Sequence, residues 1–216
     1  MTYVRHNLIT FDSGKRSAMV SQLTTQLDNA KEIPGLMAVR VHFDTIQGAD
    51  NRLCISGFYD DKKAAESAQE RVKAELSRLS EFIVGEPAVR EGEIIWSFDA
   101  DGAPSVRQIV DGYMRHTTVG FIPSKLDSFL AYADSIVGTL NAISGLRRIR
   151  VATVKGPSQI YKSEDRLTVS SAFDSKEAAD AATEQTASIW AGMSEFMPDD
   201  PERRVVGGDL IYAYSR

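Results

Sequence analysis

The strongest constraint on this chain is that it contains one segment twice, so its fold must be built from two copies of a single unit. Tyr3-Val4-Arg5-His6 recurs as Tyr113-Met114-Arg115-His116, Phe11 as Phe121, and Gly35-Leu36 as Gly145-Leu146, all at one spacing. Val39-Arg40-Val41 matches Ile149-Arg150-Val151 at that same spacing. The spacing then grows by four residues, setting Arg52-Leu53 against Arg166-Leu167, Asp60 against Asp174, Ala64-Ala65 against Ala178-Ala179 and Glu81-Phe82 against Glu195-Phe196. It grows by two more before Ile94-Ile95-Trp96 meets Leu210-Ile211-Tyr212. The insertions fall around Gly156-Pro157 and within Pro198-Asp199-Asp200-Pro201, both rich in turn formers, as loops that change length should be. The expected organisation is a first ferredoxin-like repeat over 1–98, a linker over 99–112 with room for one helical turn, and a second repeat over 113–216.

Each copy reads as βαββαβ. Tyr3 to Phe11 is rich in β-formers and too short for a core helix. Met19, Leu23, Leu27 and Ala30 recur at helical spacing, with Phe129, Ala133, Val137 and Leu140 as counterparts. Gly35 and Gly145 supply the permissive backbone that ends this helix. Met37, Val39, Val41 and Phe43 alternate with Ala38, Arg40 and His42 as a second strand, and Leu53, Ile55 and Gly57 open a third. Asp60 and Asp174 are the expected N-caps of a second helix, with Glu177 as a capping-box partner. That helix shows Ala65, Ala68, Val72, Leu76, Leu79 and Phe82, matched by Ala179, Ala182, Trp190, Met193 and Phe196. Val89 to Phe98 and Val205 to Tyr214 are closing strands.

Such a unit makes a four-stranded antiparallel sheet with both helices on one face. Its strands are apolar at both parities, which predicts a sheet buried on both sides. The expected class is therefore α+β: two tandem ferredoxin-like repeats whose sheets pack face to face as an intramolecular α+β barrel. A fused pair meets its own partner at high effective concentration, and exposed sheet edges would allow a homodimer of the fused pair.

Composition removes several function classes. Hydrophobic residues make up 43% and charged residues 25%, with a net charge of -5 and no basic run, so no nucleic-acid footprint is expected. No apolar stretch is long enough to span a bilayer, and the start lacks the blocks of a signal peptide. The single Cys54 excludes an intramolecular disulfide and suits a reducing compartment, so a cytoplasmic location is expected. There is no nucleophile motif, phosphate-cradling loop or dinucleotide fingerprint.

Both halves resemble the dimeric α+β barrel superfamily, especially its antibiotic-biosynthesis-monooxygenase-like members. The residues concerned are Ile33-Pro34-Gly35-Leu36, the Ala-rich helix from Asp60 to Phe82, and Glu86-Pro87-Ala88-Val89-Arg90. Arg5-His6 and Pro34-Gly35 are also similar to the stress-responsive A/B barrel family. These cues concern the fold more than a reaction. The resemblance implies a small-molecule-binding barrel, either a cofactor-independent monooxygenase-like enzyme acting on a small aromatic compound or a non-catalytic ligand-binding or scaffold protein. Haem-degrading members use an Asn on the first strand with a Trp and a His associated with the second helix. Asn7 matches the first of these, but its counterpart is Thr117, and the helix from Asp61 to Phe82 has neither Trp nor His. No haem or other cofactor is expected.

Candidate site residues follow from the repeat. His6 and His116 are two of three histidines and share one position; they act as base or acid at a common cavity, or each fills a half-polar slot copied by the duplication. His42, opposite Ala152, is expected at the surface or an edge. Arg5, Arg115, Arg40 and Arg150 are retained in both halves, either to hold an oxyanion or carboxylate or as structural ion pairs. Arg5 and His6 point to opposite faces of a regular strand, so one of each pair is structural. Trp96 and Tyr212 match on the closing strands and would line a pocket for a flat ligand or pack the core. Trp190 belongs to the helical stripe. Neither His-x-His nor Glu-x-x-His occurs, so no metal site is expected.

Overall fold

The computed structural model of the protein describes residues 1–45, 51–103, 112–155 and 162–216. The insertion around Gly156-Pro157 and the helical turn expected in the linker lie outside the described residues. Among the described residues there are eight strands: β1 (Tyr3–Thr10), β2 (Leu36–Phe43), β3 (Arg52–Tyr59), β4 (Ala88–Asp99), β5 (Tyr113–Gly120), β6 (Leu146–Lys155), β7 (Asp165–Phe173) and β8 (Arg204–Ser215). The α-helices are α1 (Arg16–Leu27), α2 (Lys62–Ser67), α3 (Gln69–Ser77), α4 (Leu126–Ser135), α5 (Val137–Asn141), α6 (Lys176–Gln185) and α7 (Ala187–Met193). The strand order β1-β3-β2-β8-β5-β7-β6-β4 closes as a barrel, with antiparallel pairing throughout. This is the α+β architecture that the duplicated pattern predicts.

Contacts divide the chain into two compact units, one of Met1–Glu93 with Leu210–Arg216 and one of the described residues from Ile94 to Asp209. In the first, β1 pairs with β3 and with the start of β4, while β2 pairs with β3 and the end of β8. In the second, β5 pairs with β7 and the start of β8, while β6 pairs with β7 and the end of β4. The closing strands β4 and β8 are 12 residues long, enough for each to run through both units. Every residue of β1 from Tyr3 to Ile9 is buried, as the apolar character at both parities requires.

The helical stripes pack as their spacing demands. Met19, Leu23 and Leu27 of α1 join Phe11, Leu36, Val41 and Leu53 in the first core. In the second, the Phe129 ring meets Phe121 and Phe196 edge-on, each at 5.8 Å between centroids. Gly35 and Gly145 take φ of 74° and 75°. A Cβ there would lie 2.5 Å from the Ala64 Cβ and 2.7 Å from the Ala178 Cβ, respectively. The glycines therefore serve both the left-handed turn and the close approach of the second helix.

Two local expectations are corrected. The second helices begin one residue later than Asp60 and Asp174: Asp61 accepts from the Ala64 amide at 2.8 Å, and Ser175 from the Ala178 amide at 3.2 Å. The Asp60 amide donates to Gly35 O and the Asp174 amide to Gly145 O, which ties each strand exit to the helix-ending glycine. His42 is not at the surface or an edge. It is 0% exposed: β3 and β8 pair with β2 on its two flanks, so the strand is not an edge, and the side chain lies on the His6 side of the sheet. Among the described residues no helix is long and apolar enough to cross a membrane.

Candidate functional site

Strand parity sorts the candidate residues of the first unit onto two faces. Arg5 and Asn7 point toward the helices, and His6 points to the opposite side. Arg5 lies opposite Glu91 in the β1–β4 register, and Asn7 lies opposite Val89. The Arg5 Nε donates to Glu91 Oε2 at 2.6 Å and its Nη1 donates to Ala65 O of α2 at 3.0 Å, with the guanidinium side chain 7% exposed. A buried guanidinium is thus neutralised by a carboxylate and held by a backbone carbonyl. Burial, with Glu91 next in effect, pushes the Tyr3 phenol up to about 12. Burial also raises Tyr59 on β3.

Between β1, β4 and α3 lies a cleft of about 530 Å³. Arg5, Asn7 and Glu91 provide its polar groups on the sheet side, and Val72, Leu76 and Val89 its apolar walls. A smaller cavity of about 60 Å³ adjoins it, sharing Asn7, Val72 and Leu76 and reaching Tyr59. Asn7 is only 6% exposed, and it lines both the cleft and the smaller cavity. Its amide offers donors and an acceptor at that surface. Glu91 is the only carboxylate among the described residues lining the cleft. No histidine, cysteine or methionine is among them, so the donor set does not suit an axial haem ligand.

The opposite face of the sheet holds a different group. His6 Nδ1 shares a hydrogen bond with Ser56 Oγ at 2.7 Å and lies 3.9 Å from Cys54 Sγ. Burial, aided by the charges of His42 and Arg90, pushes His6 down to about 3, and burial likewise lowers His42. The Cys54 thiol is pushed up to about 12 by burial and stays protonated. In the second unit His116 Nδ1 makes the matching bond to Ser170 Oγ at 2.7 Å. His6 does not line the cleft.

The remaining candidates are placed as follows. Arg40 donates to Val39 O, Tyr214 O and Ser215 Oγ, and Arg150 to Phe98 O, Ile149 O and both carboxylate oxygens of Asp99. Both tie the second strand of a repeat to a closing strand. Arg115 donates to Thr183 Oγ1 and Asp180 Oδ1 on α6. Trp96 stacks on Phe98 at 6.3 Å and donates to Asp134 Oδ1 at 2.9 Å. The Tyr212 hydroxyl donates to Leu27 O at 3.3 Å. Of the sequence candidates, only Arg5 and Asn7 meet in the cleft. Glu91, Tyr59 and Leu76 were not anticipated. The available signals were the antiparallel register that sets Glu91 across from Arg5, and the repeat comparison that sets it against Gly207.

No protein-family model matches the chain, and no curated protein matches it. Solved structures do. A "putative monooxygenase" from Fusobacterium nucleatum superposes with a TM-score of 0.74 at 10% identity, covering 100% of this chain and 94% of the other. A second "putative monooxygenase", from Lactobacillus acidophilus, gives 0.71 at 10% identity over 99% of this chain and 96% of that one. An "anthrone oxidase-like protein" gives 0.67 at 16% identity over 99% and 93%. Similarity this low in sequence and this complete in coverage concerns the fold. The chain shares with these structures, over nearly its whole length, the fold of a closed antiparallel barrel built from two ferredoxin-like repeats.

Proposed function

We propose that the protein binds a small aromatic molecule in the cleft of its first unit and acts on it as a cofactor-independent oxygenase. The observation behind this reading is a cleft of about 530 Å³ in which Arg5, Asn7 and Glu91 converge beside Val72, Leu76 and Val89. Its volume falls in the range of small-molecule sites, and a few convergent polar groups in an apolar pocket are how such sites orient a ligand. The names of the fold relatives point to the same class of reaction.

The chemistry needs a substrate that can itself reduce dioxygen, such as an aromatic ring fused to an activated CH2 beside a carbonyl. Glu91 removes a proton, and the Asn7 amide with the Arg5 guanidinium holds the enolate oxygen. The enolate gives electrons to dioxygen; one oxygen atom becomes the new carbonyl and the other leaves as water with both hydrogens of the CH2.

The test is oxygen uptake, with incorporation of isotopically labelled dioxygen, over a panel of phenols, hydroquinones and aryl ketones. Turnover with kcat/KM falling about 100-fold in Asn7→Ala is expected, the usual size of one lost oxyanion donor. Ligand binding without oxygen uptake across the panel would leave the protein a non-catalytic binder and overturn the catalytic part.

A further inference from the structure

The two units differ where their matching clefts should be. Leu76 precedes Phe82 by six residues, and Trp190 precedes Phe196 by six, so these are equivalent positions on α3 and α7. Strand register matches Glu91 with Gly207, because each sits opposite the arginine of its first strand. Counting back four residues matches Pro87 with Arg203. In the first unit Leu76 and Pro87 both line the open cleft, one from the helix and one from the segment before β4. In the second unit their counterparts meet: the Arg203 guanidinium lies 4.0 Å from the centre of the Trp190 ring, a cation–π stack that joins helix to strand entry.

The polar groups of the second unit have changed with the walls. Thr117 replaces Asn7, and Gly207 replaces Glu91. A Cβ on Gly207 would lie 2.6 Å from Met114 O, so this position excludes any side chain. Arg115, left without a carboxylate across the strand, turns to Asp180 and Thr183. The changes are coordinated, because the ring, the cation and the lost carboxylate all act on one place.

We infer that the chain carries a single ligand site, in the first unit, and that Trp190 beneath Arg203 is a built-in occupant closing the equivalent place in the second. The inference rests on the reading of the first cleft as an aromatic-binding site and deepens it. An indole is what this scaffold accepts when it fills that place with its own side chain, so the ligand class is a flat, bicyclic or larger aromatic ring. In the first unit the shorter Leu76 leaves room for such a ring, and Asn7 and Glu91 supply the polar contacts that the second unit has discarded.

The test uses 2-naphthol, a flat bicyclic phenol, with the full chain in equilibrium dialysis and calorimetry. One molecule per chain is expected. Leu76→Trp should weaken binding at least tenfold; Leu76→Phe, a milder change, serves if the first variant melts early. The double variant Trp190→Leu/Arg203→Ala should bind a second molecule, at least tenfold more weakly than the first because Thr117 and Gly207 stand in place of Asn7 and Glu91. Two molecules on the wild-type chain, one molecule held undiminished by the position-76 variants, or no second molecule in the double variant would each overturn the single-site inference. Binding to neither the wild type nor the double variant would overturn instead the aromatic-site reading beneath it.

Discussion

At the scale of single residues, the contrast between Asn7 and His6 shows how strand parity separates tasks. Both are buried on β1, but Asn7 faces the cleft while His6 is bonded to Ser56 on the other side. Replacing Asn7 by Leu exchanges a buried amide for apolar surface. The variant should be as stable as the wild type or more so, by about 1 kcal/mol, while 2-naphthol binding drops about tenfold. A thermal melt alongside a titration checks both. His6 leads to a pH prediction. Its pKa is lowered to about 3 in the folded chain, whereas in the unfolded chain it titrates near the ordinary 6.5. The unfolded state therefore binds more protons below 6.5, so the His6 contribution is intact above that pH and is lost as pH falls toward 3. Urea unfolding should show a loss of about 1.4 kcal/mol per pH unit from this residue, and His6→Gln should remove that part of the slope.

At the scale of elements, the turn from α1 into β2 and its copy are the least forgiving places. Gly35→Ala would impose a side chain at positive φ and drive its Cβ against Ala64, so a loss of about 2–4 kcal/mol is expected from strain and overpacking together. Gly145→Ala should behave alike, and denaturant melts of both variants check this. At the second helix, Asp61→Ala should cost about 1 kcal/mol and Asp60→Ala little through capping, which a paired melt would separate. The elements themselves were legible in the sequence because apolar spacing differs sharply between strand and helix, and because each element appears twice. The cap is less legible because two aspartates stand side by side in the first copy, and the residue equivalent to Asp61 in the second is Ser175, a different capping side chain.

At the scale of the whole molecule, closure of the strand order depends on β4 and β8 each running through both units. Ending the chain after Asp209 would remove the β8 partner of β2 and strip Arg40 of its contacts with Tyr214 and Ser215. A strand ladder and the packing of Ile211, Tyr212 and Tyr214 on the first core go with it, so this truncated chain should lose its cooperative melt or unfold at much lower denaturant. The same sharing explains why His42 was misread. Nothing near it in sequence announces that β8, far along the chain, will cover its strand. The cleft was hidden for a related reason. Leu76 and Trp190 both satisfy an apolar helical stripe, so the pattern that finds the helix does not distinguish an open wall from a closed one.

Both tryptophans of the chain, Trp96 and Trp190, fall in the second unit. Indole emission is therefore a one-sided optical reporter, sensitive to the loss of order around Phe98, Asp134 and Arg203 and nearly blind to the first unit. Far-ultraviolet circular dichroism records the helices and strands of both halves. A single cooperative transition would give superimposable curves from the two signals, whereas separate melting would pull them apart. The distribution of two side chains thus lets one unlabelled sample reveal whether the duplicated halves unfold together.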